Sequence, residues 1–210
     1  MPYDSASMEN DNTLNLAPAL IRWQRRHGRH HLPWQKTRVE LGTPAGGAAV
    51  LRDPYRVWLS EVMLQQTQVA RVLPKFAEFT TRFPTIEALA AAQLPAVLQA
   101  WQGLGYNRRA KYLHSAAQAI AAGAPTATQA DLVALPGVGA NTAGAIMNYV
   151  HQTPTAFVET NIRTVYFNHF FAGQEGVKDK DVLALVTQTM DTARPRQWFW
   201  ALMDYGAELK

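Results

Sequence analysis

Cysteine is missing from the chain altogether. That excludes disulfides, thiolate metal sites and cysteine nucleophiles. Charged residues are sparse at 17%, while 48% are apolar, so the composition is that of a chain with a core and not of a disordered one. No apolar run is long enough to span a membrane, and the first residues show no signal-peptide pattern. Alternating runs rich in Val, Ile and Thr are absent, which argues against strands. Neither a Gly-x-Gly-x-x-Gly turn after a strand nor a P-loop occurs, so no cofactor motif supports a small-metabolite enzyme. No internal repeat is present.

Acid is also missing locally. None lies between Asp11 and Glu40, where Arg22, Arg25, Arg26 and Arg29 crowd beside His27, His30 and His31. A second acid-free stretch from Ala88 to Ala130 carries Arg108, Arg109 and Lys111. The net charge is +4, from 20 Lys+Arg against 16 Asp+Glu. Two basic patches suit a polyanionic partner. A pair of solvated helix faces would read the same way.

What is present is helical. Residues 14–27 form an amphipathic pattern around Leu16, Leu20, Ile21 and Trp23, broken at Pro33. Asp53-Pro54 is a helix start, with Asp as cap and Pro in the first turn. The spacing of Val62, Met63, Val69, Ala70 and Leu73 predicts one helix from there through Val72, ending near Pro74. Further helices are expected over 75–82, from Thr85, and over 96–102, 107–122, 128–135, 142–151, 161–171, 179–193 and 197–210. Residues 1–13 read as a loose polar tail, and GTPAGGAAV at 42–50 reads as a surface loop. The expected fold class is all-α.

The string Leu135-Pro-Gly137-Val138-Gly139-Ala-Asn141-Thr142-Ala stands between two short helices. Glycine allows positive φ and close approach. Backbone N–H groups at the start of the second helix then face outward, with the helix dipole behind them. Such a hairpin can hold a phosphate without reading sequence. An ordinary glycine-closed turn shares part of this pattern.

This string resembles the helix-hairpin-helix element of the endonuclease III superfamily of DNA glycosylases. Pro54-Tyr-Arg-Val-Trp-Leu-Ser-Glu61-Val-Met-Leu64-Gln65-Gln66-Thr-Gln68 is similar to the catalytic helix of A/G-specific adenine glycosylases. Leu32-Pro-Trp34-Gln35 resembles the segment those enzymes place beside the extruded base. Trp101-Gln-Gly-Leu-Gly-Tyr106 resembles their GLGY turn. The resemblance runs from about Leu20 to the last residue, in family order.

The resemblance implies two helical lobes with double-stranded, mispaired DNA in the cleft. Residues 14–52 and 157–210 would form one lobe. Residues 53–156 would form a six-helix barrel containing the hairpin 135–146. It implies a monomeric, bacterial-type enzyme of the cytoplasm that removes adenine mispaired with guanine or 8-oxoguanine. Excision needs a general acid for the base and an anion for the developing oxocarbenium ion.

Glu61 is the candidate acid. On one continuous helix it shares a stripe with Trp58, Gln65 and Gln68, and a half-buried carboxyl there should have a raised pKa. Gln65 and Gln66 suit base edges or the gap left by flipping. Tyr106 suits stacking into the duplex, and Leu64 and Trp34 suit the pocket wall; each of these three could instead be plain packing. Gly137, Val138, Gly139, Asn141 and Thr142 are the candidate phosphate grip.

Three departures from the family stand out. Where the family has Asp, the sequence reads Val158-Glu159-Thr-Asn161. The extra methylene moves the carboxylate by about 1.5 Å, and a misplacement near 1 Å costs on the order of a hundredfold in rate. Either Glu159 serves with backbone adjustment, oriented by Asn161, or it is a helix-start acid and the enzyme is slow. The first reading is preferred because Glu61 and the base-side residues are in place. Second, Asn141 stands where strand-cleaving relatives carry the Schiff-base Lys, which implies a monofunctional glycosylase with water as nucleophile. Third, with no cysteine the four-cysteine iron–sulfur cluster of many relatives is expected to be absent, as is their C-terminal 8-oxoguanine-recognition domain. Glycosylases for mispaired thymine or uracil tend to lack the catalytic-helix Glu, so Glu61 argues against that neighbour. A non-catalytic module for mismatched or bent DNA remains the alternative that Glu159 supports.

Overall fold

A computed structural model describes residues 16–36 and 53–210. The expected tail 1–13 and the loop 42–50 lie outside the described residues. Among the described residues there is no strand, and the fold is all-α. No helix among them is long and apolar enough to cross a membrane.

The described residues divide into two compact units, residues 16–30 with 152–210 and residues 31–36 with 53–151. The first contains α1 (Leu16–His27), α9 (Thr160–Phe170), α10 (Asp179–Thr189) and α11 (Pro195–Glu208). α11 packs against both α1 and α9. α1 stops at Gly28, before Pro33, and its exit is held by Asp204. That carboxylate accepts from the Arg29 backbone at 3.1 Å and from Arg29 Nε at 2.7 Å. α10 stops at Thr189, short of residue 193. The Asp191 carboxylate takes the N–H groups of Ala193 and Arg194 and turns the chain instead.

The second unit contains α2 (Pro54–Leu64), α3 (Val69–Arg82), α4 (Ile86–Ala91), α5 (Leu94–Ala100), α6 (Asn107–Ala121), α7 (Gln129–Val133) and α8 (Ala140–Ile146). A π turn, Met147–His151, continues α8. The short 3-10 turn Pro33–Gln35 also belongs here. The boundary therefore falls at residues 30 and 31, where the sequence placed it at 52 and 53. Burial is the reason: Leu32 and Trp34 join the core, and Trp34 packs edge-on to Phe76 at 5.2 Å.

The caps follow local chemistry. Asp53 accepts from the N–H groups of Tyr55 and Arg56, Thr85 from Ala88, and Thr128 with Asp131 forms a capping box. The predicted helix through Val72 is instead two helices, α2 and α3, with a break at Gln65–Gln68. α3 runs through Pro74, so no separate helix begins at residue 75. Ala70, whose carbonyl loses its helical partner to that proline, is exposed, where water can serve it. It is not the core position the spacing predicts; Val72, Phe76 and Phe79 anchor the helix.

Candidate active site

In the second unit, the Asp53 cap starts α2 and fixes its register. Glu61 then falls in the last turn, half-buried, beside the buried Val62 and Met63. Trp58, one turn earlier, is buried, and its indole N–H has no hydrogen-bond partner among the described residues. Leu64 is half-buried against the core.

α2 ends there. Gln65 leaves the helical region at φ −56° and ψ 113°, and Gln66 takes the left-handed region at φ 53°. The stripe Trp58–Glu61–Gln65–Gln68 therefore does not continue as a helix face: Gln68 stands at the N-cap of α3. The cause lies outside the segment. Arg109, on α6, donates from Nη1 to the carbonyls of Val62 at 2.9 Å, Met63 at 3.1 Å and Gln65. It thereby satisfies carbonyls that a longer helix would have used. Freed from the helix, the Gln65 side chain donates to Thr142 Oγ1 at 3.2 Å. Two sequence candidates, one in the break and one in the hairpin, are brought together.

The hairpin joins α7 to α8. Leu135 and Val138 are buried in the core. Val138 also uses its N–H internally, donating to the Leu135 carbonyl at 3.2 Å. It is an anchor of the turn and not a phosphate donor. Gly137 has φ 75°, and a Cβ there would stand 2.5 Å from Tyr112 Cβ. Gly139, exposed, caps α8 with no side chain over the helix start. Gly139, Ala140 and Asn141 are all exposed at this helix start, where backbone N–H groups favour an anion.

Tyr106 caps α6 at φ 46° and is 66% exposed. The turn before it is held by Trp101 Nε1, which donates to the Gly105 carbonyl at 3.0 Å. Among the described residues, the non-glycine positions with positive φ are Gln66, Tyr106 and Gln152. Each such residue costs about 1–2 kcal/mol, and strain of this kind gathers at functional segments. Trp34 and Gln35 are both buried; Trp34 is a core residue.

In the first unit, Glu159 is the N-cap of α9. One of its oxygens accepts from the backbone N–H groups of Asn161 at 2.7 Å and Ile162 at 3.0 Å. The backbone of Asn161, not its amide, holds Glu159; the Asn161 side chain accepts from Lys210 Nζ at 2.7 Å. Burial pushes the Glu159 carboxyl above the usual glutamate range. The backbone donors of Ile162, Asn161 and Thr160 and the Lys210 charge pull against that shift without cancelling it.

The sequence offered no hint of Gly206. A Cβ at that position of α11 would stand 2.2 Å from the Asn161 carbonyl oxygen. The bare glycine is what lets α11 reach the first turn of α9. Gly206→Ala should cost about 1–3 kcal/mol of stability, read as a lowered melting temperature.

Arg109 was also missed. It belonged to the second basic patch, but its guanidinium is spent on protein carbonyls. Nothing short of the folded chain places it there. An iron–sulfur cluster of the four-cysteine kind needs thiolate donors. The sequence supplies no thiolate, and among the described residues no group of three or more His, Cys, Asp or Glu could hold a metal ion. The residues present do not fit such a group.

Residues 59–187 match the family model described as HhH-GPD superfamily base excision DNA repair protein. The chain is 31% identical over 202 residues to a protein named adenine DNA glycosylase from Buchnera aphidicola subsp. Baizongia pistaciae, covering 93% of this chain and 53% of the relative. It is 35% identical over 201 residues to the adenine DNA glycosylase of Mycolicibacterium smegmatis, covering 92% and 63%. The chain thus spans roughly half to two thirds of the length of these curated relatives. Among solved structures, a thermostable thymine-DNA glycosylase superposes with a TM-score of 0.71 at 22% identity, over 91% of this chain and 84% of that one. That likeness speaks for the fold.

Proposed function

This chain belongs to the HhH-GPD superfamily of base excision DNA repair proteins, and from that premise we propose that it is a DNA glycosylase hydrolysing the N-glycosidic bond of adenine mispaired with guanine or 8-oxoguanine. The observation that carries the reading is the half-buried Glu61 in the last turn of α2, directly before the break at Gln65 and Gln66. The names of the relatives support the choice of adenine.

In this reading the exposed start of α8 at Gly139–Asn141 holds a phosphate. Tyr106 enters the duplex as the adenine is turned out, at a cost of about a few kcal/mol. Glu61 donates a proton to a ring nitrogen of adenine. The glycosidic C–N bond breaks, and its electron pair leaves with the base. The Glu159 carboxylate stabilises the sugar's oxocarbenium character, and water adds and gives up its proton. The products are free adenine and an abasic site. No cofactor takes part. The partner is double-stranded DNA with a mispair, met by a monomer in a bacterial-type cytoplasm.

The test is incubation with duplexes carrying A opposite G, A opposite 8-oxoguanine, T opposite G and U opposite G, followed by alkaline cleavage of abasic sites. Release of adenine alone is the expected result. Binding with no release from any duplex would replace the proposal with a non-catalytic mismatch-binding module.

Asn141 carries a second expectation. It stands where lyase-active relatives carry lysine, so no amine is offered to the abasic sugar from that position. Borohydride added during turnover should trap no covalent protein–DNA adduct. A robust adduct on a denaturing gel would assign a lyase step to another amine.

A further inference from the structure

Arg109 does more than end α2. Nη1 bonds the carbonyls of Val62, Met63 and Gln65; Nη2 bonds Thr67 Oγ1 at 3.1 Å and the carbonyls of Leu104 at 2.9 Å and Gly105 at 3.3 Å. The guanidinium lies 5.4 Å from the Trp101 ring centroid and 5.6 Å from that of Tyr106. Two of these acceptors matter most. The Gln65 carbonyl belongs to the peptide just before Gln66, and the Gly105 carbonyl to the peptide just before Tyr106. Gln66 and Tyr106 are the two left-handed side-chain-bearing residues of this part of the chain, at φ 53° and 46°. One planar fork therefore pins the peptide ahead of each strained residue.

We infer that Arg109 is a positioning residue, whose guanidinium fastens the Gln65–Gln68 break to the Gly103–Tyr106 turn so that Gln66 and Tyr106 meet a duplex as one preset unit. The inference rests on the reading above that these segments enter DNA. The Gln65 amide extends the same connection to Thr142 and so to the hairpin. A phosphate held there is linked through Thr142, Gln65 and Arg109 to the exposed Tyr106 ring. Lysine cannot replace this arrangement: its ammonium keeps the charge but lacks the fork that reaches two segments at once.

The experiment compares wild type with Arg109→Lys on a duplex carrying 2-aminopurine opposite guanine, at saturating protein. Wild type should raise the fluorescence as the base unstacks, and Arg109→Lys should lose most of that rise. On adenine opposite guanine, Arg109→Lys should slow single-turnover release about a hundredfold, the scale expected of an approximately 1 Å misplacement. Release of adenine facing a one-nucleotide gap, which is already unpaired, should slow far less. A merely structural role would slow both substrates alike, and that result, or an intact fluorescence rise, overturns the proposal.

Should Arg109→Lys fail to fold, Thr67→Val decides alone. It removes one acceptor and no charge, and wild-type fluorescence and rates in that variant overturn the proposal. The outcome also separates the two readings. A fluorescence rise in wild type that Arg109→Lys loses, with no adenine released, sinks excision and keeps this inference. Release that Arg109→Lys leaves untouched does the reverse.

Discussion

Glu61→Gln should abolish adenine release while leaving duplex binding intact. The loss expected at single turnover is about 10²–10⁴-fold, the range for removing a positioned general acid. Glutamine matches glutamate in shape and keeps hydrogen-bonding capacity, so the half-buried site in the last turn of α2 stays filled. What disappears is the transferable proton. Adenine is a poor leaving group, and without ring protonation the glycosidic bond must break toward an anionic base. Binding rests on other groups, the hairpin backbone and Tyr106, which the substitution does not touch. The measurement is a pre-steady-state release assay beside a filter-binding titration at fixed salt, because phosphate contacts make affinity salt-dependent. Unchanged turnover would remove Glu61 from the acid role and leave the reaction without its proton donor.

Glu159→Gln should slow release by about 10²–10³-fold, the scale of losing one preset electrostatic stabiliser. The fold should hardly notice. The glutamine oxygen can still accept from the N–H groups of Asn161 and Ile162, which keeps the cap of α9. The melting temperature should stay within about 4 °C, equivalent to roughly 1 kcal/mol for a chain of this size. The pH dependence gives a second readout. Glu159 must be ionised to stabilise positive charge, and burial raises its pKa above the usual glutamate range. Release by the wild type should therefore rise as pH climbs through that raised value, the acid side of the bell expected where one group must be ionised and another must keep its proton. Glu159→Gln should lose this acid-side limb. The same shift has a stability sign. A raised carboxyl pKa means the folded state disfavours the anion, so the cost is present above the folded pKa and relieved as pH falls through it. A limb that survives in Glu159→Gln would assign it to another group.

The helix starts were legible because their chemistry is local. Asp53 before Pro54, Thr85 before Glu87 and Thr128 before Asp131 each place a side-chain acceptor within reach of N–H groups two or three residues ahead. The hairpin was legible for the same reason, since Gly137 must supply a positive φ within a few residues. Glu61 and Glu159 stood out by motif order, and the structure adds the backbone donors that hold Glu159.

The break at Gln65–Gln68 was not legible. Val62, Met63, Val69 and Leu73 keep helical spacing across it, so periodicity reads straight through. The donors that end α2 come from Arg109, more than forty residues later in sequence. Asn161 failed in a related way: its type suggested a side-chain contact with Glu159, and its backbone makes the bond. Val138 reads as part of an anion grip, yet its apolar side chain is buried and its N–H closes the turn.

The sequence by itself determined the all-α class, the helix caps and the hairpin. These follow from neighbours within one turn of chain. Only the tertiary structure decided where α2 stops, which backbone groups hold Glu159, how close α11 comes at Gly206, and that Arg109 ties Gln66 to Tyr106. Each of those rests on donors and acceptors far apart in sequence, and their pairing exists only once burial has withdrawn them from water.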